Sequence, residues 1–209
     1  MKTTMFALLA VAGASAVANA QAVQGFTGGT QFGSYYGGLV ADDVIGWRFT
    51  VNQDVFVTGL GVWNQDTQAG LEGLTSDHQV GIWDLNTGSL LVTAVAGPSG
   101  TAVGAWTYTS VADTLLSSSG SYVIGALYGA DDGDRYISSA TSVTMDPAVN
   151  FGGGVFPAAA DLGFVLPTQW SGATSRGRFG PNFLFRPVPA PGAIAVLGLG
   201  GLVATRRRR

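Results

Sequence analysis

From residue 44 onward the chain is a series of short β-branched and aromatic runs separated by turn residues, the spacing expected of an antiparallel β domain. The run 44–51 is followed by 55–63, where Phe56, Thr58, Leu60 and Val62 alternate with Val55, Val57, Gly59, Gly61 and Trp63. Asn52-Gln53-Asp54 between them has turn composition and predicts that these two strands pair as a hairpin. Residues 64–77 are polar, lack a strand period and contain Glu72, which predicts a long exposed loop. Strands are then expected at 78–85 and 90–96, joined as a hairpin by Asn86-Thr87-Gly88-Ser89. Further strands are expected at 105–111, 121–128, 135–138, 143–145 and 178–185. No stretch between the two ends has the period of an amphipathic helix, so the fold expected is an antiparallel, jelly-roll-like β-sandwich.

The ends have a different pattern. Lys2 precedes an apolar run at 5–18, and Ala18-Asn19-Ala20 offers the small-x-small site after which signal peptidase cuts. Residues 1–20 thus read as a signal peptide and Gln21 as the first mature residue. An uncleaved anchor is the competing reading, but about 14 helical residues cover only about 21 Å of a roughly 30 Å hydrocarbon core. At the other end, Val188-Pro189-Ala190-Pro191-Gly192 precedes an apolar stretch at 193–204 and then Arg206, Arg207, Arg208 and Arg209. The prolines stop preceding structure, the apolar stretch can enter a bilayer, and the guanidinium cluster holds the end on the cytoplasmic side.

This C-terminal arrangement, residues 188–209, resembles the PEP-CTERM sorting signal, in which a Pro-Glu-Pro motif precedes a short transmembrane helix and a terminal Arg cluster. Ala190 stands here where the family has Glu. The resemblance implies export by the secretion machinery, processing by signal peptidase, and recognition of the tail by exosortase, a membrane protease or transpeptidase that releases or attaches the domain at the cell surface. A plain C-terminal anchor is the alternative, set against an apolar run diluted by Gly198, Gly200 and Gly201. Val57 to Trp63, Val80 to Asp84, Asn86 to Gly88 and Tyr122 to Tyr128 also resemble pieces of a jelly-roll-like bacterial surface domain of unknown function; this implies a fold and no activity.

Between the ends lie residues 21–187, a length for one domain. They carry all 13 acidic residues against five arginines, a net charge near −8 behind the whole-chain value of −3. No basic patch can be assembled from that set, which argues against a nucleic-acid partner. Without cysteine, an exported domain has no disulfides and no thiolate chemistry, and its stability must come from packing.

Candidate chemistry is sparse. The one imidazole, His78, follows Asp77 at the expected start of a strand and reads as an ordinary loop-edge residue; no Gly-x-Ser-x-Gly elbow accompanies it. Most of the aspartates stand in turn contexts, so a paired-carboxylate hydrolase is disfavoured and the chain reads as non-catalytic. Asp131, Asp132 and Asp134 flank Gly133, hard oxygen ligands on a turn that suits calcium, with Asp42 and Asp43 as further donors if folding brings them near. The competing reading is a solvated acidic turn offset by Arg135. Trp63 and Trp83 read as core, whereas Trp170, in a Gly/Ser-rich segment, is the candidate for an exposed sugar-stacking ring. The function expected is an exported, non-catalytic surface or extracellular-matrix protein. Its rival is an extracellular polysaccharide-binding module, with calcium as the candidate assisting ion.

Overall fold

The structure, a computed structural model, describes residues 19–32, 42–64, 73–129, 133–158, 163–172 and 177–189. These form sixteen strands and no helix: β1 Ala20–Gln21, β2 Val23–Thr27, β3 Thr30–Phe32, β4 Asp43–Val51, β5 Val55–Trp63, β6 His78–Asp84, β7 Leu90–Ala96 and β8 Thr101–Val103 in the first half. There follow β9 Trp106–Leu116, β10 Tyr122–Tyr128, β11 Tyr136–Ser138, β12 Ser142–Met145, β13 Val149–Phe156, β14 Gln169–Trp170, β15 Arg178–Phe179 and β16 Pro181–Pro187. All pairings are antiparallel. The order is β1-β16-β5-β9-β8 in one sheet and β14-β13-β4-β10-β6-β7 in the other, with a three-stranded sheet β15-β11-β3 and a two-stranded sheet β12-β2. The architecture is all-β and β-sandwich-like.

The core lies between the two large sheets. Ile45, Trp47, Phe49 and Val51 alternate along β4 and are all buried, and they meet Leu60, Val62, Phe183 and Phe185 of the opposite sheet in one apolar cluster. Trp47 illustrates how an amphipathic ring is accommodated there. Its indole ring stacks on Phe183 with centroids 6.0 Å apart, and its N–H donates to the Pro181 carbonyl at 2.9 Å, so burial leaves no orphaned donor.

The expected hairpin of 44–51 with 55–63 does not form, although both strands do. β4 pairs with β10 and β13, while β5 pairs with β9 and β16. The turn between them crosses from one sheet to the other: the Asn52 N–H donates to Ala148 O at 2.8 Å, and Asp54 O accepts from the Val188 N–H at 3.0 Å. Tight-turn composition marks a reversal but does not choose the neighbour. Here that choice is made by apolar burial, which places β4 and β5 on opposite sides of the core.

The strict alternation expected along β5 is also interrupted. Register shifts on both sides of Thr58, against β9 and against β16, move the strand's inward parity by one residue. Val55 and Val57 therefore face the core before the irregularity, and Leu60 and Val62 face it afterwards.

The β6–β7 hairpin forms as expected. Its turn is closed by Asp84, whose carboxylate accepts from the N–H groups of Asn86 and Thr87 at 2.8 and 3.0 Å. The expected strand 178–185 divides into β15 and β16, which belong to different sheets.

Asn182 ties the N-terminal region to the last strand. Buried on β16, it accepts from the Val23 and Phe183 N–H groups and donates to Val23 O at 2.9 Å. Asn182→Ala would orphan both backbone groups of Val23 in the interior. Its expected cost is about 2 kcal/mol of unfolding free energy, measurable by urea denaturation.

Candidate functional site

The strongest polar feature of the interior is centred on His78 and Asp134, 56 residues apart in sequence. His78 opens β6, while Asp134 lies just before β11. Both side chains are fully buried, and Nε2 of His78 lies 2.9 Å from Oδ2 of Asp134. The second ring nitrogen, Nδ1, lies 2.9 Å from the Leu127 carbonyl. A carbonyl can only accept, so Nδ1 carries a proton. Oδ2 of Asp134 also accepts from Thr75 N–H at 3.1 Å and Ser76 N–H at 2.9 Å. The arrangement holds the imidazole between a backbone carbonyl and the Asp134 carboxyl group. Tyr128 packs beside the imidazole with ring centroids 4.5 Å apart.

Oδ1 of Asp134 completes the knot by accepting from the N–H and hydroxyl of Thr75, both at 2.9 Å. Burial pushes the Asp134 pKa up, but the hydrogen bonds from His78, Thr75 and Ser76 together outweigh it and hold the pKa below the usual carboxylate value. His78 is therefore not the loop-edge residue expected from the sequence. Its partner is Asp134 and not the neighbouring Asp77, and residues 75–76 of the expected exposed loop are recruited as donors.

These contacts also decide what Asp134 does. Its oxygens face N–H and O–H donors of residues 75–78, so it serves as an anionic acceptor that fastens its own segment to the start of β6. Asp131 and Asp132 lie outside the described residues. Among the described residues no three or more His, Cys, Asp or Glu side chains are grouped to hold a metal. Asp43 opens β4 opposite Tyr128; its pKa is raised by burial, an effect opposed by Arg178 and reinforced by Asp42.

The second feature is on the outer face of the six-stranded sheet. Trp47, Trp63, Trp83 and Trp106 are buried, but Trp170 is 49% exposed. The exposed ring is nevertheless fixed. Its N–H donates to Gly152 O at 3.0 Å, and the Arg48 guanidinium lies 5.2 Å from its centroid. Gly153, at φ 109°, lies where a Cβ would strike the indole nitrogen, so a glycine is needed for the ring to sit against β13. Sequence context singled out Trp170; nothing local pointed to Arg48, 122 residues earlier.

The residues of the predicted sorting segments are only partly described. Ala20 and Gln21 form β1, opposite Phe185 and Leu184. The expected signal-peptidase bond is thus inside a paired strand, and cleavage there requires a chain that has not yet docked β1 on β16. Val188 and Pro189 follow β16; Ala18, Glu72, Ala190, Pro191, Gly192 and Arg206 to Arg209 lie outside the described residues. Among the described residues no helix is long and apolar enough to cross a membrane, and the stretch 193–204 is not among them.

No protein-family model matches the chain, and no curated protein is detectably similar to it in sequence.

Proposed function

We propose that this chain is an exported, non-catalytic cell-surface or extracellular-matrix protein whose C-terminal tail is read by an exosortase-like membrane protease. The observation that carries this reading is the succession of sequence elements in the tail: Val188-Pro189-Ala190-Pro191-Gly192, then an apolar stretch, then Arg206 to Arg209. The topology is compatible with it. β1 and β16 are antiparallel neighbours with Ala20 opposite Phe185, so the chain before residue 20 and the chain after residue 187 leave the domain at the same end. A single pole would then face the membrane during export and processing. The alternation of β4 with β5, and of β9 with β10, between the two sheets supports a jelly-roll-like connectivity. The non-catalytic reading draws support from His78, whose two ring nitrogens are both engaged in the interior.

Intact mass of the protein recovered from cells and from medium tests this reading. The expected species begins at Gln21 and ends within residues 188–192. A membrane-bound species that keeps Arg206 to Arg209 in a host with an active exosortase would leave the tail as a plain anchor.

A second reading, an extracellular carbohydrate-binding module, is favoured by Trp170, a half-exposed aromatic ring fixed beside an arginine on a sheet face. Here the carbohydrate would be engaged by side chains of the outer face. The two readings are compatible, since one concerns delivery and the other the delivered domain.

A further inference from the structure

The side chain of Gln21 is held by residues far along the chain. Its Nε2 donates to the Val103 carbonyl at 2.7 Å and to the Tyr108 hydroxyl at 3.0 Å. Both acceptors lie at the β8–β9 end of the five-stranded sheet, while β1 is the strand at its other end. Tyr108 bridges the gap by lying across Gly61 of β5, where a Cβ would strike its ring. Gly104, at φ 58° in the turn between β8 and β9, sits beside the carboxamide; a Cβ there would lie 3.1 Å from Oε1 of Gln21. The backbone that follows is fixed as firmly. Ala22 and Val23 are fully buried, the Ala22 N–H donates to Phe183 O at 3.0 Å, and Asn182 bonds both backbone groups of Val23. Removal of residues 1–20 therefore leaves Gln21 at the chain end but anchored by the two residues after it.

A glutamine at a free N-terminus carries an intrinsic reaction. The uncharged α-amine attacks Cδ of its own carboxamide, and the new N–Cδ bond closes a five-membered lactam. The Cδ–Nε2 bond breaks, and Nε2 leaves as ammonia, taking one proton from the amine. Both reacting groups belong to one residue, so no second substrate is needed. In the folded domain Nε2 is the atom bonded to Val103 and Tyr108. The carboxamide must therefore release both acceptors before it can turn back on the amine. A chain that cyclises first cannot recover those bonds, because a lactam has no NH2 group to place between the Val103 carbonyl and the Tyr108 hydroxyl.

We propose that Gln21 is a modification site gated by the fold: it cyclises to pyroglutamate in processed chains whose β1 is undocked, and stays a free glutamine once β1 is in place. The inference rests on the reading of cleavage after Ala20 and adds to it the fate of the residue that cleavage exposes. Cleavage itself requires β1 to be undocked, since Ala20 and Gln21 pair with Phe185 and Leu184. The two reactions of this residue thus share one open state, and docking ends both.

The test uses protein recovered from the secreting host, its N-terminal peptide being weighed before and during incubation at neutral pH in buffer and in urea. The recovered protein is expected to begin with uncyclised Gln21. Loss of ammonia in buffer should be at least about tenfold slower than in urea, since it proceeds only through molecules that open locally. Tyr108→Phe keeps a ring over Gly61 and removes one acceptor; it should speed the reaction in buffer about three- to tenfold and leave the rate in urea unchanged. The control for general loss of stability is Gly81→Ala on β6 of the other sheet. Its added methyl meets Phe164 of the segment 163–172, which lies as a strap over the outer face and packs on Trp83 with ring centroids 5.0 Å apart. Its rate in buffer should equal that of the native protein. An N-terminus at another residue overturns the cleavage reading and this site with it. A Gln21 N-terminus that is already cyclised on recovery, that reacts as fast in buffer as in urea, or that fails to react in urea overturns this inference alone. Equal acceleration by Tyr108→Phe and Gly81→Ala would mean that global unfolding sets the rate, and overturns the gating by these two bonds.

Discussion

Asp134→Asn is expected to destabilise the domain by about 3 to 5 kcal/mol, because it removes the buried carboxylate on which His78, Thr75 and Ser76 converge. For a domain of this size that corresponds to a fall in melting temperature of about 10 °C or more. Asp77→Asn is the matched control. Asp77 neighbours His78 in sequence but is exposed, and its loss is expected to change stability by less than about 0.5 kcal/mol. The effect should also depend on pH in a defined direction. The folded-state pKa of Asp134 is depressed: burial raises it, and the hydrogen bonds from His78, Thr75 and Ser76 lower it further than burial raises it. Its contribution to stability is therefore complete above the unfolded carboxylate value of about 4 and is lost as pH falls through the lower folded value. Thermal melts from pH 7 to pH 2 should show the native protein and Asp134→Asn far apart near neutrality and converging in acid. A gap that is constant over this range would mean that Asp134 is neutral in the folded protein.

What the sequence made legible follows the reach of each interaction. The β6–β7 hairpin was readable because its determinants, Asp84 and the Asn86 to Ser89 turn, lie within a few residues of one another. β13 was not readable: Gly152, Gly153 and Gly154 interrupt its apolar pattern, and the strand exists because β4 supplies its ladder and Trp170 needs the open backbone. The short N-terminal strands β1 to β3 were missed for a related reason, since each is held by a partner distant in sequence, β16, β12 and β11 respectively, with the bonds between Val23 and Asn182 added to them. The His78–Asp134 pair illustrates the same limit. Sequence offered Asp77 as the adjacent acid, while the partner chosen by folding comes from a cluster that local composition presented as a metal-binding turn. Trp170 was legible as exposed, because a Gly/Ser-rich context excludes a packed core, but the arginine beneath it was not.

The second large effect expected is at Gly46, and its cause is the geometry of a glycine row. Gly46 on β4, Gly125 on β10 and Gly81 on β6 are directly opposite one another across three paired strands. An added Cβ meets a different obstacle at each. At Gly46 it would overlap the Ile124 carbonyl oxygen and approach Gly125 Cα to 2.8 Å; both are backbone, so relief requires β4 and β10 to separate in the middle of the sheet. At Gly125 the nearest atom is a Val44 methyl at 2.6 Å, followed by the Trp83 ring at 3.3 Å. At Gly81 the obstacles are Leu90 Cδ1 and the Phe164 ring, each at 2.8 Å, and Phe164 belongs to the strap. Side chains can shift where a paired backbone cannot. Gly46→Ala is therefore expected to cost about 3 kcal/mol or more, and Gly125→Ala and Gly81→Ala about 1 to 2 kcal/mol, by urea denaturation. Gly81→Ala should in addition change the near-ultraviolet circular dichroism of Trp83 and increase proteolysis within 163–172, because its added methyl displaces the ring that holds the strap to the sheet. If all three substitutions cost the same, the row is merely a weak strand composition; if they follow the predicted order, the glycines are there so that the strands and the strap can approach one another this closely.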